Sequence, residues 1–185
     1  MGGGVASEPI TQSAAVARNI EIKARIENAD AVRSKVARLA GRGPVELVQD
    51  DWFFSCSAGR LKLRVFSAEQ GELIFYHRAD QPGSKESSYC IAPTTAPDSL
   101  RETLALAYGI AGRVRKQRTL FMIGRTRVHL DRVENLGDWL ELEVVLEENE
   151  PSTVGISEAQ ELMVKLGINS AQLVDGAYVD LLPGR

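Results

Sequence analysis

The sequence predicts an α+β domain built on a single antiparallel sheet of seven or eight strands, and three observations carry that prediction. Strand-like segments recur along the chain with turn residues between them. Three amphipathic segments interrupt them without the regular alternation that a parallel βαβ sheet needs. No internal repeat or low-complexity tract divides residues 19–182, so one core serves the whole.

Residues 1–17 are small and polar. They lack the basic start and apolar stretch of a secretory signal, and Ala6 stands where N-myristoylation of Gly2 would want Ser or Thr. A disordered leader is expected over 1–17 and one domain over 18–183. Order is expected from Asn19, where Ile20, Ile22, Ala24 and Ile26 alternate with Asn19, Glu21, Lys23 and Arg25, the period of a strand. A helix follows from a cap at Asn28 or Asp30, with Val32, Val36 and Leu39 on one stripe, and Gly41, Gly43 and Pro44 stop it. Strands are next expected at 51–56, 60–66, 71–78 and 87–92, with a turn at 58–60 and the longest loop at 79–86. A second helix begins near Pro97, where Ser99 and Glu102 match a capping box, and ends before Gly109. Strands at 113–123, 125–133 and 138–146 follow, then a third helix at 157–166 stopped by Gly167 and a short element at 178–182.

Composition bounds the function. The 185 residues carry a net charge of −3, which supplies no broad field for nucleic acid or a membrane surface. No apolar run reaches the length of a membrane span. Cys56 and Cys90 make neither a disulfide framework nor a CxxC metal motif, and they read as reduced thiols in a cytoplasmic protein.

The informative pattern is how charge is distributed over strand faces. Arg60, Lys62 and Arg64 share one face opposite Leu61, Leu63 and Val65. Arg125, Arg127, His129 and Asp131 oppose Thr126, Val128 and Leu130, and Glu141 and Glu143 oppose Leu140, Leu142 and Val144. A solvated surface usually mixes signs within each strand, and opposed cations repel. Segregated basic and acidic strands make sense when a curled sheet turns those faces inward around a polyanion and a divalent cation. Mg²⁺ and Mn²⁺ prefer carboxylate oxygens, which makes Glu21, Glu141 and Glu143 the best metal ligands on offer and Asp131 a further candidate. Glu141 and Glu143 lie roughly 7 Å apart along one strand face. Lysine and arginine serve the phosphate oxygens.

These residues resemble the CYTH, or triphosphate tunnel, family. The family opens on a Glu-x-Glu-x-Lys strand, matched by Asn19-Ile-Glu21-Ile-Lys23 except that its first Glu is Asn19. Lys62 and Arg64 resemble the paired cations of the family's third strand, and Arg78 and Lys85 sit where later strands each supply one. Residues 115–121 (RKQRTLF) resemble its Lys-x-Arg strand, giving Lys116 and Arg118. Residues 127–143 (RVHLDRVENLGDWLELE) resemble the segment that brings Arg127, Asp131, Glu141 and Glu143 in order. The resemblance implies a closed eight-stranded antiparallel β-barrel, a tunnel with flanking helices, that binds a triphosphate with Mg²⁺ or Mn²⁺. In it Glu21, Lys23, Lys116 and Arg118 would be catalytic. Lys23, Lys62, Arg64, Arg78, Lys85, Lys116, Arg118 and Arg127 would bind substrate, and Glu21, Glu141, Glu143 and Asp131 metal.

Family members include class IV adenylate cyclases, thiamine triphosphatases, inorganic tripolyphosphatases and RNA triphosphatases. Hydrolysis of a triphosphate is the leading expectation, ahead of cyclisation of ATP and of a binder that has lost turnover. No adenine signature stands out, although Trp52, Phe53, Tyr76 and Tyr89 are able to stack on a base. The expected partner is a small-molecule triphosphate; the acidic net charge offers an RNA backbone no track, and the protein is a monomer or homodimer. His129 is a candidate base, a phosphate donor or a structural hydrogen-bonding group, whereas His77 faces away. Trp139 shares parity with Glu141 and is expected to pack in the core or to cap one tunnel end.

Overall fold

The computed structural model describes residues 16–78 and 83–183, and the expected leader lies outside them apart from Val16 and Ala17. The eight strands are β1 (Ala17–Arg25), β2 (Arg42–Phe54), β3 (Arg60–Ser67), β4 (Gln70–Arg78), β5 (Lys85–Thr94), β6 (Ile110–Ile123), β7 (Thr126–Val133) and β8 (Gly137–Val145). They close into a barrel in the order β1-β5-β4-β3-β2-β6-β7-β8, every pairing antiparallel. The helices are α1 (Ala29–Leu39), α2 (Pro97–Tyr108), α3 (Ser152–Leu166) and α4 (Tyr178–Leu181). None in the described residues is long and apolar enough to cross a membrane.

The barrel is packed from outside. Ile20, Ile22, Val128, Leu140, Leu142 and Val144 point away from the axis and are at most 2% exposed, because α1 and α3 lay Val32, Val36, Ala159, Leu162 and Leu166 over them. Each such side chain contributes about 1.5–3 kcal/mol on burial. A smaller cluster, Phe54 and Leu63 under Leu104 of α2, covers the opposite wall. With the apolar faces turned outward, strand alternation sends the charged faces into the barrel.

Several boundaries differ from the sequence expectation, each for a physical reason. β1 starts at Ala17, two residues before Asn19. β2 begins at Arg42 instead of 51; residues 42–46 are exposed and include Pro44, so they carry no alternating signal and are held by pairing with the long β6. Asn28 caps α1, its side chain accepting from the Ala31 amide (2.9 Å). No capping box forms at Ser99: α2 starts with Pro97 at its first turn and has no side-chain cap. Proline suits that position because it has no N–H to satisfy. α3 starts at Ser152 and runs through Gly155, where a Cβ would stand 2.7 Å from both Ile20 and Leu146. A 3₁₀ turn at Ser170–Gln172, capped by Asn169, was not foreseen.

Candidate active site in the barrel interior

The interior is a cavity of about 430 Å³. Among the described residues, Lys23, Lys62, Arg64, Arg78, Lys116, Arg118 and Arg127 line it from five strands, against the carboxylates of Glu21, Asp51, Glu72, Glu141 and Glu143. An eight-stranded barrel is commonly just filled by its own side chains. Here the filling is charge and open space.

Strand register sorts the charges into groups. At one, β1 pairs with β8 so that Glu21 lies opposite Glu143 and Lys23 opposite Glu141. Arg78 donates to Glu21 (3.0 Å), Lys23 lies 3.4 Å from Glu141, and Arg127 donates to Glu143 (2.7 Å) and to the Tyr89 hydroxyl (3.1 Å). Burial raises the Glu21 carboxyl above its ordinary range, and Glu143 and Glu141 raise it further against the pull of Arg78. Glu141 goes the other way: burial opposes its charge, but Lys23 and Arg118 hold it at about 2. A side recess of about 10 Å³ opens beside these three glutamates, with Lys23, Arg78 and Lys85 around it.

Deeper in, Arg118 donates both to Asp131 (2.6 Å, two bonds) and to Glu141 (2.5 Å). Asp131 also accepts from the Tyr178 hydroxyl (3.0 Å). Its carboxyl is held well down, since Arg118 and Lys116 outweigh its burial. Across the barrel Asp51 gathers Arg64 (2.8 and 3.0 Å) and Lys62 (3.1 Å), with Lys116 at 3.8 Å. Burial, then neighbouring Arg118, pushes the Lys116 ammonium down to about 8.

One end is closed. The chain after the 3₁₀ turn runs beside β1, where the Val174 amide donates to the Lys23 carbonyl (3.0 Å). Tyr178 then lies across the opening, packed edge-on against Trp139, with Lys23 4.2 Å from its ring centre. Lys23 donates to the Gly176 carbonyl (2.8 Å) and Lys85 pairs with Asp175 (3.1 Å). At the other end of the same strands Leu47, Phe66, Ile91 and Leu120 line the cavity, and Ile91 is 43% exposed. These four side chains are apolar, and Glu72 lines the cavity at the same end.

Polar groups without partners point to a ligand-ready wall. Asn19 Oδ1, Gln49 Oε1, Ser87 Oγ, two Arg78 nitrogens and both His129 nitrogens are buried without a hydrogen bond, and all five residues line the cavity. His129 Nε2 is 3.2 Å from Glu143 but outside hydrogen-bonding geometry. Burial, then Arg118, lowers its pKa against the pull of Glu143.

The structure brings nearly all the sequence candidates to this cavity. Asp131 does not line it; that carboxylate is spent on Arg118 and Tyr178. Lys85 faces the side recess instead, with Asp175 on its ammonium. Of the four aromatics, Phe53, Tyr76 and Tyr89 line the cavity. Trp52 points outward between Arg113 and Arg101. Trp139 both packs in a core cluster and backs the closed end. His77 is exposed on the outer face, as expected. Asp51, Gln49 and Tyr178 were missed. Asp51 shares parity with Phe53 at the start of an apolar run, and only the pairing of β2 with β3 sets it beside Lys62 and Arg64.

The fold has known relatives. A Pyrococcus horikoshii protein superposes with a TM-score of 0.77 at 22% identity, covering 89% of this chain and 99% of its own. A Vibrio parahaemolyticus protein described as a candidate adenylate cyclase gives 0.71 at 18% identity, covering 90% and 98%. A Hippeastrum protein, described as a candidate adenylyl cyclase with a dominant triphosphatase activity, gives 0.56 at 17%, covering 81% and 88%. No curated protein sequence matches the chain significantly. The sequence model of the CYTH domain matches residues 17–178, the span from the first strand to the tyrosine that closes the barrel, and the chain belongs to the CYTH domain family.

Proposed function

We propose that this protein is a metal-dependent hydrolase of a triphosphate held along the barrel axis. The observation that carries the reading is the ring of seven cations from five strands around one cavity. Cations outnumber carboxylates there although the chain as a whole is acidic. Lys62, Arg64, Lys116 and Arg118 would bind phosphate oxygens, the arginines through paired N–H groups and the lysines as point charges.

The acidic group fits a hard divalent cation by its chemistry. Glu21, Glu141 and Glu143 stand on adjacent strands in register, beside a recess with room for one water-sized particle. The Glu21 carboxyl, raised first by burial and then by neighbouring Glu143 and Glu141, is one whose charged form a bound cation would favour. Each glutamate now rests on Arg78, Arg118 or Arg127, and no three metal-binding side chains among the described residues form a finished cage. Mg²⁺ or Mn²⁺ held there would neutralise charge on the phosphate oxygens. In the hydrolysis itself water attacks the terminal phosphorus and the anhydride bond to the next phosphate breaks. The negative charge gathers on the leaving oxygens, within reach of Lys116, Arg118 and Arg127. Tyr178 and Trp139 keep bulk water out of the closed end.

One observation favours a second reading, cyclisation of ATP. The apolar side chains of Leu47, Phe66, Ile91 and Leu120 at the open mouth suit an organic group more than a bare polyphosphate. A single experiment separates the two. Purified protein is given tripolyphosphate, ATP and thiamine triphosphate with Mg²⁺ and with Mn²⁺, and phosphate, pyrophosphate and cyclic AMP are measured. Phosphate release supports the hydrolase. Cyclic AMP with pyrophosphate replaces it by the cyclase, and tight binding without product makes the protein a binder.

A further inference from the structure

Lys62 and Arg64 of β3 and Lys116 of β6 converge on one carboxylate, that of Asp51 on β2. Asp51 is 1% exposed. Arg64 binds both of its oxygens (2.8 and 3.0 Å) and Lys62 binds one (3.1 Å). Among the described residues no other carboxylate pairs with Lys62 or Arg64. Neighbouring cations inside a barrel repel more strongly than they would in water, because the effective dielectric there is lower. Without Asp51, Lys62 and Arg64 would swing apart from each other and from Lys116, which would keep Asp131 at 3.7 Å. Bound to Asp51, Arg64 keeps further N–H groups and Lys62 keeps protons directed at the cavity that both line.

We infer that Asp51 is a positioning residue, which gathers Lys62, Arg64 and Lys116 into one three-pronged receptor for a phosphoryl group. The inference rests on the triphosphate reading and adds to it the part of the wall where a phosphate is gripped. Asp51 touches no substrate itself; it acts through the three cations. Simple charge balance is the competing role, and the two roles have opposite signs. If Asp51 only offsets charge, removing it leaves a more cationic cavity that binds a polyanion more tightly. If it positions, the cations disperse and binding weakens.

The test uses the full chain with Asp51→Asn and Asp51→Glu. Tripolyphosphate with Mg²⁺ is titrated by calorimetry, steady-state kinetics are measured on whichever triphosphate is turned over, and circular dichroism melts check folding. For Asp51→Asn, Kd and KM rise at least about tenfold while kcat changes less than about threefold, the pattern of lost ground-state binding. Asp51→Glu keeps the charge but moves it by one methylene, and KM rises several-fold. Tighter or unchanged binding by Asp51→Asn overturns the inference, as does a wild-type KM in Asp51→Glu. Should the asparagine variant fail to fold, the glutamate variant decides alone by the same criterion. A wild-type chain that binds no triphosphate sinks the functional reading before any variant is made, and this inference with it.

Discussion

Lys116 offers the sharpest pH test of the site. Its ammonium is buried, between Asp51 at 3.8 Å and Asp131 at 3.7 Å, with Arg118 and Arg64 nearby. Burial first, then Arg118, lowers its pKa from 10.5 to about 8. At pH 7 roughly ten in eleven molecules carry the charge, and at pH 9 roughly one in eleven. A phosphate-binding cation that titrates there makes kcat/KM for a triphosphate fall by about tenfold per pH unit above 8, since that ratio reports the free enzyme. Stability moves oppositely. Because the folded pKa is lowered, the unfolded chain binds more protons between pH 8 and 10.5, and stability rises over that window by on the order of 3 kcal/mol. Lys116→Arg, which does not titrate, removes the decline in activity. The assay is a pH–rate profile from 6 to 10 at constant ionic strength, wild type against Lys116→Arg, with melts at each pH. Parallel declines in both proteins would refute the reasoning, because ionisation of substrate or metal would then account for them.

Three further outcomes follow from the packing. Arg118→Met leaves Asp131 and Glu141 as buried charges without their main partner and destabilises the fold by about 3–5 kcal/mol, measured by urea unfolding at pH 7. Acid removes a different contribution: Glu141 is held at about 2, so its stabilisation is complete above its ordinary 4.5 and is lost as pH falls through 2, a decline that melts between pH 5 and 2 will show. Glu21 works the other way, its raised pKa favouring the fold only when protonated. Gly155→Ala puts a methyl within 2.7 Å of Ile20 and Leu146 and destabilises by about 1–3 kcal/mol, read from the melting temperature.

How much of this was legible in the sequence depends on the range of the interactions. Period-two alternation in residues 19–26, 60–65 and 126–131 is local, and it correctly assigned which side chains share a face; Arg125, expected on the charged face with Arg127, instead lies in the turn before β7 and pairs with Glu150 and with Glu158 of α3. The bias of charge on those faces carried the closed site. What escaped was set by partners distant in sequence. Asp51 gains its meaning only when β2 pairs with β3 and β6, and Tyr178 only when the chain's end folds across the barrel. Asp131 shares strand parity with Arg127 and lies in the segment 127–143 that resembles the family, and both put it among the metal-ligand candidates. The observed bidentate pairing with Arg118 is a cross-strand contact that parity does not encode. Residues 42–46 were missed because a strand exposed on both faces has no alternation to read.

The most direct measurement is a crystal structure of the protein grown with tripolyphosphate and Mn²⁺, the metal located by its anomalous scattering. The account predicts phosphate density inside the barrel against Lys62, Arg64, Lys116 and Arg118, and an anomalous peak beside Glu21, Glu141 and Glu143. A barrel interior free of both at saturating ligand, or a ligand bound only on the outer wall, would contradict it.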